Sequence, residues 1–164
     1  MNELLAQQMR TGMRRLVAGI SIITTADAKG QRLAMTASSV TSVSDDPASL
    51  LVCIHQSSWL ANAIMERKHF CVNLLAQRHN EISVRCASAD KSLDRFALGE
   101  WLPHDTTGLY YLKDALAVFH CHNTTALEYG THFIFVGDID SVTLQGDTID
   151  PLAYLNGEYV RLAN

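Results

Sequence analysis

Along the first turns of the chain the apolar positions recur every three or four residues, at Leu5, Met9, Gly12, Met13 and Leu16. That spacing predicts an amphipathic helix over residues 3–18, with Arg10, Arg14 and Arg15 toward its polar side. At "GISIITTAD" (19–27) the pattern changes to a β-branched run, a strand, and "AKGQ" (28–31) reads as a hairpin turn into a second strand, "RLAMTASSVTSVS" (32–44). Asp45, Asp46 and Pro47 break the chain before a third strand, "SLLVCIH" (49–55). Ser57 or Ser58 caps a short helix, "WLANAIMERK" (59–68), which leads into the strand "HFCVNLL" (69–75). A helix "RHNEISVRCA" (78–87) and a polar stretch containing "LDRF" (93–96) follow. Residues 97–115, with Gly99, Pro103, Thr106, Thr107 and Gly108, read as loop. Three more strands are expected near 116–127, 131–144 and 152–161, divided by Gly130, Gly146 and Pro151.

Neighbouring strands joined by short turns, with helices inserted, predict a mainly β chain and favour an antiparallel barrel over a doubly wound parallel sheet. The chain lacks GxGxxG, GxxxxGK[ST] and GxSxG, so dinucleotide-fold, P-loop and α/β-hydrolase readings have no local support. A length of 164 residues, without repeat, linker or low-complexity segment, fits one domain spanning 1–164 that buries its own core.

Hydroxyls crowd one place: six of the nine residues from Thr36 to Ser44 carry one. A strand through 35–43 would put Met35, Ala37, Ser39, Thr41 and Val43 on one face and Thr36, Ser38, Val40, Ser42 and Ser44 on the other. An unpartnered buried hydroxyl costs about 1–3 kcal/mol, so these groups face water, bond to backbone, or line a polar ligand's site. The serine pair ahead of "WLANAI" is either a helix cap or a phosphate seat.

A formal charge of −4 argues against nucleic acid, which leaves a basic footprint. No apolar run approaches a membrane span, and the first residues lack a secretory signal, which together place the chain in the cytoplasm. Cys53, Cys71, Cys86 and Cys121 show no CxxC spacing and read as small buried hydrophobes. His120 and His122, two apart on a strand, project to one face and are a rival metal pair, but no third ligand stands at a convincing spacing.

The segments "GMRRLVAGISIITT", "AMTASSVTSVSDDPASLLVCI", "FCVNLL", "GTHFIFVGDI" and "PLAYLNGEY" together resemble the flavin reductase family, the small reductase components of two-component flavin-dependent monooxygenases. The resemblance covers nearly the whole chain. It implies a split β-barrel that binds FMN or FAD, works as a homodimer with flavin near the subunit interface, and passes reduced flavin to a partner monooxygenase. By the same resemblance Thr36, Ala37, Ser38 and Ser39 meet the isoalloxazine ring, Ser57 and Ser58 meet the ribityl phosphate end, and His132 in "GTHFIF" positions the nicotinamide of NADH or NADPH. Arg85 and Lys91 are candidate partners for phosphates, or solvated charges. Phe96 and Tyr154 pack on the flavin or nicotinamide, or belong to the core. Where many relatives carry Ser-x-Thr at the helix start, this chain has Leu60 in place of the threonine. The competing class is a non-catalytic flavin or haem carrier on the same fold.

Overall fold

The computed structural model describes residues 2–146 and 148–163. Its helices are α1 (Glu3–Met13), α2 (Trp59–Arg67) and α3 (Asn80–Ala87). Its strands are β1 (Ala18–Gly19), β2 (Ser21–Ala26), β3 (Arg32–Ala37), β4 (Thr41–Asp45), β5 (Ala48–His55), β6 (His69–Leu74), β7 (Trp101–Pro103), β8 (Tyr110–Leu112), β9 (Ala117–Tyr129), β10 (His132–Leu144), β11 (Ala153–Leu155) and β12 (Glu158–Val160). Seven strands form the main sheet in the order β3-β2-β6-β9-β10-β5-β4, beside a three-stranded sheet β1-β11-β12 and the hairpin β7-β8. Every pairing is antiparallel. The main sheet has β3 at one edge and β4 at the other, unjoined, so the barrel is split rather than closed.

The alternation of the pleat divides the core. Ile22 and Cys71 point to one layer with Leu75, Trp101, Leu112, Val118 and Leu152, while Ile23, Phe70 and Val72 point to the other with Val52, Ile54, Ile64 and Phe135. With both faces covered, β2 is buried along its whole length. Asn73, buried in β6, is satisfied by donating to the Ile22 carbonyl and accepting from the Leu112 N–H, which ties the β7-β8 hairpin to the main sheet. Gly137 in β10 marks a close approach, since a Cβ there would stand 2.6 Å from the Phe70 ring.

Five predicted elements are corrected. The expected strand 32–44 is two strands on opposite edges, because Ser39 takes over ladder work between them: its hydroxyl donates to the Cys53 carbonyl at 3.0 Å and accepts from the Cys53 N–H at 3.2 Å. The single alternation through 35–43 therefore does not run. The segment 19–27 likewise changes sheets at Ile20, with β1 in the small sheet and β2 in the large one. The stretch 97–115 holds the hairpin β7-β8, and the last strand folds back as β11-β12 through Asn156 and Gly157, both at positive φ. The helix expected over 3–18 ends at Met13.

Helix α1 has the predicted apolar stripe but buries none of it: Leu5 is 61% and Met9 56% exposed, and Met13 and Leu16 are open as well. Among the described residues no helix is long and apolar enough to cross a membrane.

Candidate functional site

One cavity gathers the sheet edge, a helix start and a braced loop. Its volume is about 620 Å³, within the range of cofactor pockets. The wall is formed by residues 31–35 of the β3 edge, by Ser57, Ser58, Trp59 and Leu60 at the start of α2, and by the end of α3 with the loop 88–96. Because β3 pairs on one side only, backbone groups not used in the ladder are available on this wall.

Ser58 is the N-cap of α2, accepting from the Leu60 N–H at 3.2 Å, while its own hydroxyl faces the Met35 sulfur at 3.9 Å, a weak acceptor that a phosphate oxygen can replace. Ser57 donates through its N–H to Nδ1 of His55 at 3.2 Å, and its Oγ lies 2.9 Å from the same nitrogen. Nδ1 is therefore the acceptor and the His55 proton sits on Nε2. His55 in turn stands opposite His132 in the β5-β10 ladder, the two rings edge to face at 5.1 Å. Thus Ser57 and His132, far apart in sequence, are connected through one imidazole.

The loop is held by Arg95. Its guanidinium donates to the carbonyls of Ala34 (2.8 Å), Cys86 (3.0 Å) and Ser88 (2.6 Å), joining β3, α3 and the loop. Arg85 adds a bond to the Asp94 carbonyl at 2.9 Å, and Asp94 accepts from the Phe96 N–H. Arg32 lies over the rings of Phe96 and Tyr110, 4.6 and 4.7 Å from their centroids, and Lys91 lies 4.6 Å from the centre of Trp59. Burial pushes the Cys86 thiol on this wall up to about 11, with Arg95 and Arg85 only partly offsetting it, so it stays protonated and is no nucleophile at neutral pH.

Of the residues singled out from sequence, Ser57, Ser58, Lys91 and Phe96 line the cavity. Thr36, Ala37, Ser38, Ser39, Arg85, His132 and Tyr154 do not. The Thr36 hydroxyl is engaged with the Ser83 carbonyl at 2.6 Å, Ser39 with Cys53, and Ala37 is buried, whereas Ser38 is exposed beyond the end of β3. Tyr154 donates to the Gly157 carbonyl and packs on Tyr159 in the small sheet. The sequence pattern does not single out Arg95, Arg32 or Trp59; the one signal for the first is an arginine beside an aromatic in "LDRF", and two of its three partners lie on β3 and α3.

The two histidines of the rival pair differ in burial and in partners. His122 is at the surface with Nδ1 2.7 Å from Asp140, while His120 is buried and stacked on His104 at 4.0 Å. Among the described residues no three His, Cys, Asp or Glu side chains gather as a metal site.

Residues 13–163 match the family model described as flavin reductase like domain. The reductase component of an FADH(2)-dependent resorcinol hydroxylase from Rhizobium sp. (strain MTP-10005) is 38% identical over 154 residues, 93% of this chain and 85% of that protein. FMN reductase (NADH) RutF from Ancylobacter novellus is 35% identical over 157 residues, 96% of this chain and 85% of that protein. Among solved structures, a nitrilotriacetate monooxygenase component B homologue from Mycobacterium thermoresistibile superposes with a TM-score of 0.90 at 26% identity, covering 99% of this chain and 89% of that one.

Proposed function

The chain belongs to the flavin reductase like domain family, and from that premise we propose that it is an NAD(P)H:flavin oxidoreductase supplying reduced FMN or FAD to a separate monooxygenase in the cytoplasm. The observation that carries the proposal is the cavity, which combines an edge strand, a capped helix start with two serines, and Lys91, a cation with no ion-pair partner among the described residues. These residues fit a flavin: N–H groups of the β3 edge suit the polar rim of a flat ring, and the α2 start with Lys91 suits its phosphate. When bound, the flavin supplies a hydride acceptor at N5 for the hydride leaving C4 of the nicotinamide, with a proton taken from solvent.

The protein's own work is positioning. No side chain of the cavity need act as nucleophile or metal ligand; the N–H groups of the β3 edge would hold the polar rim of the ring and the cavity walls would keep it in place. His132, exposed at the start of β10 and steadied by Thr131 at 2.9 Å from its Nδ1, is the side chain proposed to orient the nicotinamide. Purified protein is expected to oxidise NADH only when FMN or FAD is added; a flavin-binding carrier would leave NADH intact under anaerobic conditions. His132→Ala is expected to raise the KM for NADH or slow hydride transfer by roughly tenfold while flavin titrations stay unchanged. Normal reduction with lost flavin binding would reverse that role.

A homodimer is part of the same proposal. The uncovered stripe of α1, with Leu127, Tyr129 and Leu144 also open to solvent, is apolar surface that a second copy would cover. Light scattering is expected to give about twice 18.1 kDa, and Met9→Glu to shift the protein toward monomer. A wild-type monomer at micromolar concentration would overturn this part.

A further inference from the structure

Trp59 is the first residue of α2, next to the serine pair, and is 54% exposed on the cavity wall. No other aromatic ring among the described residues stacks on it. Among the described residues its one ring partner is the Lys91 ammonium at 4.6 Å, and none of the ion pairs there includes that ammonium. A flat indole open to solvent is a stacking platform that any purine satisfies, and an unpaired ammonium above it is a countercharge for bridging phosphates.

We infer that Trp59 and Lys91 form a subsite for the adenosine diphosphate half of a dinucleotide, at the solvent-exposed rim of the cavity. The inference rests on the flavin reading above and extends it. A flavin whose first phosphate sits at Ser57 and Ser58 ends there if it is FMN; with a second phosphate and adenosine it continues over the adjacent residue, Trp59. The same ligand chemistry is present in NADH, so the source is decided by experiment. Leu60, which offers no hydroxyl to the first phosphate, makes added contacts beyond it more valuable for holding the ligand.

The test is independent of turnover. ADP alone is expected to quench tryptophan emission, because of the two tryptophans only Trp59 is open, Trp101 being 9% exposed. The quench should vanish in Trp59→Ala and Trp59→Phe alike, while calorimetry should show ADP binding lost in the first and retained in the second. In flavin titrations Trp59→Ala should weaken FAD about tenfold and FMN less than about twofold, whereas Lys91→Gln, which also faces the first phosphate, should weaken both and FAD the more. If FAD is unaffected but the KM for NADH, measured with FMN as acceptor, rises about tenfold, the adenosine diphosphate comes from the nicotinamide dinucleotide and the subsite stands. Absence of ADP binding in wild type, a parallel loss of FMN and FAD, or conversion of Trp59→Ala to a monomer overturns it, the last by assigning Trp59 to the subunit contact. A wild type that binds ADP at Trp59 yet never oxidises NADH would instead sink the reductase reading alone.

Discussion

Arg95→Ala is expected to lower stability by about 3 kcal/mol and to abolish flavin binding at concentrations that saturate the wild type. One half-buried guanidinium satisfies three carbonyls on three elements, those of Ala34, Cys86 and Ser88. Hydrogen bonds from a charged donor contribute about 1.5–3 kcal/mol each, and the three are not additive because removing one side chain lets the loop 88–96 relax toward water. The affinity loss follows from the same contacts, since that loop is the cavity wall carrying Lys91 and Phe96. Arg95→Lys separates charge from geometry. An ammonium on a flexible stem cannot span three carbonyls, so lysine should recover less than half of the lost stability. Urea unfolding with flavin titration on both variants checks this; wild-type affinity in Arg95→Ala would remove the loop from the site.

The same residue marks where sequence reading stops. The β-branched runs, the turn at Asp27–Gly30 and the Ser58 cap were legible because their causes are local: side-chain period, a positive-φ glycine and a hydroxyl two residues from the N–H it accepts from. Arg95 and Ser39 act across long sequence separations, on Ala34 and Cys53, and nothing in their neighbours announces it. The hydroxyl-rich run illustrates the consequence. Its composition fitted both ligand contacts and backbone bonding, and the structure commits Thr36 and Ser39 to carbonyls while leaving Ser38 open. The α1 stripe shows the converse: its period was readable, but what covers it does not lie among the described residues of one chain.

Acid should destabilise the protein through His120, well away from the cavity wall. The ring is 3% exposed, stacked on His104, edge to face with Tyr111, with Nδ1 3.4 Å from the Cys71 sulfur and Nε2 3.2 Å from the Thr143 hydroxyl. Burial pushes the Cys71 thiol up to about 12, so both ring nitrogens meet neutral partners, that thiol and the Thr143 hydroxyl. A second proton on the ring would place a charge in a buried layer against two neutral groups. Burial first, then the neighbouring His104, with Asp140 opposing, lower the His120 pKa from 6.5 to about 4. Unfolded chains therefore bind more protons than folded ones between those values, and stability rises with pH there. The contribution is complete above 6.5 and is lost as pH falls through about 4, on the order of 3 kcal/mol in all. Buried His79, lowered by the same cause despite Asp114, adds in the same direction. His120→Gln keeps a neutral hydrogen-bonding group without a titration. Urea midpoints across pH 4–7 should be flatter in that variant by most of this amount, and an unchanged pH slope would show that the buried imidazole is already protonated in the native fold.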